Sequence, residues 1–112
     1  MTVPTLNRRL MLEERVTLPD GAGGFEVTWT ALGSLWADVD ARAGREGVVA
    51  GQDHTRQKVR ITVRAAPQGA ASRPRADQRF REGARLYPIL AVTESDGRGH
   101  YLMCDCETGA LT

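Results

Sequence analysis

The residues able to do chemistry are few and scattered. His54 and His100 are the only histidines, and neither belongs to a metal-ligand spacing or a nucleophile–base–acid set. Asp53 beside His54 supplies half of an acid–base pair with no activated nucleophile to serve, so solvated loop polarity accounts for it better. Cys104 and Cys106 are one residue apart. On a strand they would share a face about 7 Å apart, too far for a relaxed disulfide. No second cysteine pair completes a structural zinc site. Two reduced, core-facing thiols are expected, as in a protein made in a reducing cytoplasm. Asp38 and Asp40 share one strand face but lack further oxygen ligands nearby, so an exposed acidic face is expected rather than a cation site. The glycines of Gly21–Gly24 do not join a strand to a helix, which excludes a phosphate-binding loop. These residues together point to a protein that is not an enzyme and uses no cofactor.

Charge is more informative by segment than in total. The 112-residue chain has a formal net charge of +1, which argues against a general nucleic-acid binder. Residues 1–55 hold five arginines and eight acids, a net of −3. Residues 56–85 hold nine basic residues against Asp77 and Glu82, a net of +7, and residues 86–112 return to −3. Arg56, Lys58, Arg60, Arg64, Arg73, Arg75, Arg79 and Arg81 form the candidate basic patch. It would contact phosphates, or the acidic surface of a neighbouring protein. Aromatic residues make up 5% of the chain, few for a base-stacking platform.

The elements that must position these groups follow a period of two. Val59, Ile61, Val63 and Ala65 alternate with Lys58, Arg60, Thr62 and Arg64, which predicts a half-buried strand with a basic outer face. Phe25, Val27, Trp29 and Ala31 form the inner face of another strand, and Leu35, Ala37, Val39 and Ala41 that of a third. Leu10, Leu12, Val16 and Leu18 are the inner face of the first strand, with Glu14 the misfit. Leu86–Thr93 is apolar on both faces, and Pro88 makes it an edge or bulged strand. Tyr101–Glu107 is the last strand. Gly-rich turns at residues 20–24 and 96–99 join neighbouring strands. The expected fold is all-β, a small antiparallel β-barrel or sandwich of about six strands in one domain over residues 1–112. Ala43–Thr55 and the Ala-, Pro- and Arg-rich span Ala66–Gln78 lack the alternation and are expected to be long loops. The start of the chain has no apolar run of signal-peptide type, and the strongly apolar stretch Ile89–Val92 is far short of the roughly 20 residues that span a bilayer, so no membrane partner is expected.

The order of these pieces resembles the head–tail joining (head closure, or stopper) proteins of tailed phages and phage-like gene transfer particles. The likeness runs from Leu6-Asn7-Arg8-Arg9 through Gly23-Gly24-Phe25, Thr28-Trp29, Trp36-Ala37-Asp38-Val39, Gly44-Arg45-Glu46 and Val59–Arg64. It continues to Gly83, Tyr87-x-Ile89 and Leu102-x-Cys104. The connection Ala66–Gln78 is longer than is usual there, and Pro88 stands where a polar residue is more common. The resemblance implies a β-barrel with a long loop after the third strand that assembles as a ring in the virion neck, after synthesis in the bacterial host cytoplasm. Its partners would be its own copies, six or twelve, a portal or adaptor protein on the head side and a tail terminator or tail tube protein on the tail side. Non-specific contact with DNA in the channel is also implied. By the same resemblance the loop Gly44, Arg45, Glu46, Gly47, Val48, Val49, Ala50 and Gly51 would reach the channel and gate it. A tail-side terminator or another neck ring component is the alternative within the same class. A small β-barrel nucleic-acid-binding module is the alternative from a different one.

Overall fold

The computed structural model describes residues 4–41, 57–94 and 99–108. Among the described residues there are six strands: β1 (Arg8–Pro19), β2 (Phe25–Ala41), β3 (Gln57–Arg64), β4 (Arg79–Glu82), β5 (Arg85–Glu94) and β6 (Tyr101–Thr108). They close into a barrel in the order β1-β2-β3-β6-β5-β4, every adjacent pair antiparallel. The expected all-β fold is therefore present. The alternation along β3 does what its pattern requires: Val59, Ile61 and Val63 are buried, while Lys58 and Arg64 are exposed. These side chains meet Leu10, Leu12, Ala37, Phe80, Tyr87, Ile89, Leu102, Cys104 and Cys106 inside the barrel. Side chains of this size fill the interior of a small barrel.

Two strand assignments need correction. The segments 25–31 and 35–41 are one continuous 17-residue strand, β2. Opposite β2, β1 runs without interruption from Leu12 to Glu13, while their partners jump from Gly33 to Ala31. Leu32 is the extra residue of a bulge, and Gly33 has φ +143°, a backbone state that side-chain-bearing residues rarely adopt. The bulge reverses the alternation. Ala37 is fully buried, but Phe25 is 71% exposed, and Trp29 lies on the outer face rather than in the core. The long segment at residues 42–56 accordingly follows the second strand, not the third. The count of six is kept by β4, a strand the alternation did not reveal, in which Phe80 enters the core between outward-facing Arg79 and Arg81.

The first hairpin outgrows the barrel. β4 pairs with β1 only at Met11–Glu13, and β3 pairs with β2 only at Ala37–Ala41. Residues Glu14–Pro19 and Phe25–Thr30 therefore pair only with each other. Val16 and Leu18, expected in the core, lie on this ribbon instead, and Leu18 is 46% exposed. Asp20 closes its tip by accepting hydrogen bonds from the amides of Ala22 (2.8 Å) and Gly24 (3.0 Å). These bonds also hold the Asp20 carboxyl below its ordinary value.

Pro88 sits inside a bonded strand, not at an edge. The Ile89 amide donates to Gln78 O at 2.9 Å, so the nitrogen of Pro88 points toward β6, whose ladder with β5 begins only at Ile89. The missing donor thus removes no sheet bond. The bulge expected near Pro88 falls at Leu90, between Ile89 and Ala91.

The ribbon and residues 65–78 share one end of the barrel. Ala41, Gln57, Thr108 and the Gly83-Ala84 turn lie at the other. Replacing Gly33 with Val is expected to destabilise the fold by about 1–3 kcal/mol, because the cost is backbone strain alone. No atom lies within 4 Å of a Cβ built there. Thermal or denaturant unfolding measures this, and an unchanged midpoint would show that the bulge does not need glycine.

Candidate functional site

The described strand-borne basic candidates fall into two groups on opposite sides of the barrel, one on β3 and one on β4. Gly44, Arg45, Glu46, Gly47, Val48, Val49, Ala50, Gly51 and Arg56 lie outside the described residues. The remaining basic candidates are all placed, and they do not form one patch. Lys58, Arg60 and Arg64 line the outer face of β3. Across the two ladders they meet acids on both sides: Asp40 lies opposite Arg60 on β2, and Asp105 and Glu107 lie opposite Arg60 and Lys58 on β6. Arg60 Nε reaches Asp105 Oδ1 at 3.2 Å. Antiparallel pairing has laid the basic strand between two acidic ones. Asp38, one of the paired carboxylates on β2, accepts a hydrogen bond from the Thr5 amide at 3.0 Å. Among the described residues no group of three or more His, Cys, Asp or Glu side chains is arranged to hold a metal ion.

A second group gathers where β4 closes against β1. Glu13 faces outward but is only 5% exposed, because two arginines cover it. Arg79 Nε donates to Glu13 Oε1 at 2.7 Å and Arg81 Nε to Glu13 Oε2 at 2.8 Å. The Arg79 guanidinium also lies over the Trp29 ring, 4.0 Å from its centroid, a cation–π contact. Burial pushes the Glu13 carboxyl up, but the hydrogen bonds from Arg79 and Arg81 outweigh it, and the net displacement is below the ordinary 4.5. At the other end of the same seam, Arg8 binds Glu82 through two hydrogen bonds, Nε to Oε2 at 2.9 Å and Nη2 to Oε1 at 2.5 Å. That bond holds Glu82 below its ordinary value and raises Arg8 further above its own. Arg79, Arg81 and Glu13 thus form a structural clamp, built on a strand too short for its alternation to have stood out in the sequence. Glu13 itself carried no sign of it, since its two partners lie more than 60 residues away.

Residues 65–78 are a folded cap. Pro74 and Gln78 are buried, Arg73 Nη1 donates to Ala66 O at 2.9 Å, and Gln78 Oε1 accepts from the Arg75 amide at 2.9 Å. Between this cap and the root of the ribbon lies an open cleft of about 320 Å³ lined in part by Glu14, Leu32, Arg73, Arg75 and Gln78. Arg75 stands 3.9 Å from Glu14. Cys104 and Cys106 are buried, unpaired thiols as expected. Burial pushes Cys104 up to about 12 and moves Cys106 in the same direction, so neither is poised as a nucleophile.

The described surface carries several large apolar side chains in the open. Phe25, Val27 and Leu18 on the ribbon, Trp36 on β2, and Leu86 and Leu90 on β5 are all large and exposed. The stacking of Arg79 on Trp29 brings an aromatic ring to the basic residues, which their separation in sequence concealed. One face of that ring is already occupied by the guanidinium, leaving it poorly suited to stack on a base.

Comparison with known proteins agrees with this surface. A family model described as phage head completion protein matches residues 1–109. A chain from the virion of a native gene transfer agent particle is 52% identical, with 98% of this chain and all of that one aligned at a TM-score of 0.80. The solution structure of protein SF1141 from Shigella flexneri 2a shares the fold over the full length of both chains at 22% identity and a TM-score of 0.70. No curated protein sequence matches.

Replacing Glu13 with Gln is expected to cost about 3 kcal/mol at neutral pH, since it leaves Arg79 and Arg81 without their shared anion. A depressed carboxylate stabilises the fold above its unfolded value and loses that contribution as pH falls through its folded value. The gap between wild type and Glu13→Gln should therefore be full above pH 4.5 and close as the medium is acidified below it. Denaturant titrations at several pH values measure this, and a gap independent of pH would refute the assignment.

Proposed function

The chain belongs to the phage head completion protein family, and on that premise we propose that it is a ring-forming head–tail connector, a head closure or stopper subunit of a phage-type particle. A structural role in a virion follows from membership, and it fits a surface built for contact rather than catalysis. The observation that carries the finer reading is the full-length likeness to a chain of an assembled gene transfer agent virion, at 52% identity. In this reading copies of the chain form a ring of six or twelve, seated between a portal or adaptor protein and the tail terminator or tail tube, and the ring helps retain packaged DNA. The tail-side terminator position is the second reading within the same architecture.

The geometry supports a protein-facing use of the basic residues over a DNA-facing one. Arg60, Arg79 and Arg81 are each bonded to a carboxylate of their own chain, and a charge so engaged releases few counterions on meeting a phosphate. Resemblance to the family is what supports a gating role for Gly44–Gly51. Ala41 and Gln57, which flank that segment, lie at the end of the barrel away from the ribbon, so gating and ribbon contacts would be served by different ends of each copy.

Electron cryomicroscopy of particles carrying this chain should find it as a ring at the head–tail junction; density on the capsid shell or inside the tail tip would overturn the reading. Particles made with Val48–Gly51 deleted should package DNA and then leak it to nuclease. Tight, infectious deletion particles would remove the gate while leaving the connector role in place. The isolated protein should show weak DNA binding that vanishes at physiological salt, and tight binding there would favour the nucleic-acid-binding alternative.

A further inference from the structure

Between Phe25 and Leu35 no described residue pairs with β2 on the side away from β1. The parity of the ladder fixes which main-chain groups this leaves open. The Asp20 amide donates to the Gly24 carbonyl at 3.0 Å, one step beyond the last ladder pair, Pro19 with Phe25. Bonded and unbonded pairs alternate along an antiparallel ladder, so Leu18 with Glu26, Val16 with Thr28 and Glu14 with Thr30 bond across the ribbon. Phe25, Val27, Trp29 and Ala31 therefore turn their N–H and C=O groups away from β1. Among the described residues no main-chain group bonds to them there.

The other edge of the ribbon is guarded. Arg15, Thr17 and Pro19 turn outward along it, a charge at one end and a missing donor at the other, and both discourage strand addition. The β2 edge has neither device. Phe25, Val27, Trp29 and Ala31 include no charge and no proline, and aromatic and β-branched residues favour a pleated partner. Phe25 is 71% exposed and Val27 44%.

We propose that the β2 edge from Phe25 to Ala31 receives an extended, acidic segment of a different protein in the particle, added as a further strand. The inference rests on the connector reading for the presence of that neighbour. Each outward-turned residue can exchange both its main-chain bonds with a strand laid there. The added strand continues the line of β3, so one of its ends lies near Arg64, where β3 leaves β2. Arg64 and Arg15, the latter opposite Trp29, face outward with no carboxylate bonded to them among the described residues. Glu13, on the same wall, is already taken by Arg79 and Arg81. Carboxylates on the incoming segment supply what these arginines lack, and its aliphatic side chains cover Phe25 and Val27. A second copy is the poorer occupant: pairing of this edge with itself is isologous and stops at a dimer, and the β1 edge of a copy is the guarded one.

Residue-resolved hydrogen exchange of the wild-type chain, free and in purified particles, tests this directly. In particles the amides of Val27, Trp29 and Ala31 should exchange more slowly by about ten-fold or more, while those of Thr28 and Thr30, already bonded within the ribbon, change less. A photoreactive benzoylphenylalanine in place of Phe25 should cross-link in particles to an acidic segment of another virion protein, read by mass spectrometry. Val27→Pro deletes only an outward N–H; it should still fold by circular dichroism yet enter particles several-fold less well than Val27→Thr. Arg15→Glu combined with Arg64→Glu should show the same loss, and the corresponding pair of lysines should not. Unchanged exchange at Val27, Trp29 and Ala31 in particles that contain the chain overturns edge docking and leaves the connector role standing. A cross-link from Phe25 to a second copy overturns the choice of partner. Absence of the wild-type chain from purified particles removes the connector reading and this inference with it.

Discussion

Closure of the barrel rests on its shortest seam. β4 touches β1 through three residue pairs, Met11 with Arg81, Leu12 with Phe80 and Glu13 with Arg79, and without that contact the sheet would be open with two bare edges. So short a ladder contributes few backbone hydrogen bonds. Its middle pair, Leu12 and Phe80, joins the core, while each end is held by arginine and glutamate. Glu82 accepts from Nε and Nη2 of Arg8 at one end, and Glu13 is shared by Arg79 and Arg81 at the other. Charge-assisted bonds of this kind are directional as well as strong, which suits a joint where register must be fixed over few residues. Stacking of Arg79 on Trp29 extends the same joint onto β2, so three strands are tied at one point on the outer wall.

The distribution of charge along the chain acquires its meaning only from the order of strands. A central segment with a net of +7 between two of −3 reads as a basic surface if each segment is imagined alone. The barrel places β3 between β2 and β6, and those strands come from the two acidic flanks. Part of the segment's charge is then met locally, Arg60 by Asp105, Arg75 by Glu14, and Arg79 and Arg81 by Glu13, and the molecule shows water a mosaic of both signs. What remains for partners is apolar area with a few charges at its margins, the composition of a protein-binding surface.

Much of the fold was legible because alternation is a local property. Val59, Ile61 and Val63 announce a half-buried strand regardless of their neighbours, and Leu102, Cys104 and Cys106 do the same. Gly33 was harder to read. One extra residue at Leu32 reverses which side chains face inward, so that Phe25, Val27 and Trp29 carry a core-like pattern onto the outside. Short β4 was hidden for a related reason: four residues hold too little alternation to stand out beside a loop rich in Pro, Gly and Arg. The clamp on Glu13 was beyond reach of local pattern altogether, since it joins residues 66 and 68 positions apart in the chain. The family resemblance supplied the role, which these patterns alone did not.

β2 gives each copy a direction. Its 17 residues run unbroken from the tip of the ribbon to Ala41, about 55 Å at the rise of an extended strand, with a single soft point at the Leu32–Gly33 bulge. The ribbon tip and the base of the segment at residues 42–56 are consequently the two ends of one hydrogen-bonded rod. An annulus assembled from such copies with their rods along its axis would have two unlike rims, one edged by ribbons and the other by Ala41 and Gln57, and turning it over would exchange the surfaces it offers to either side.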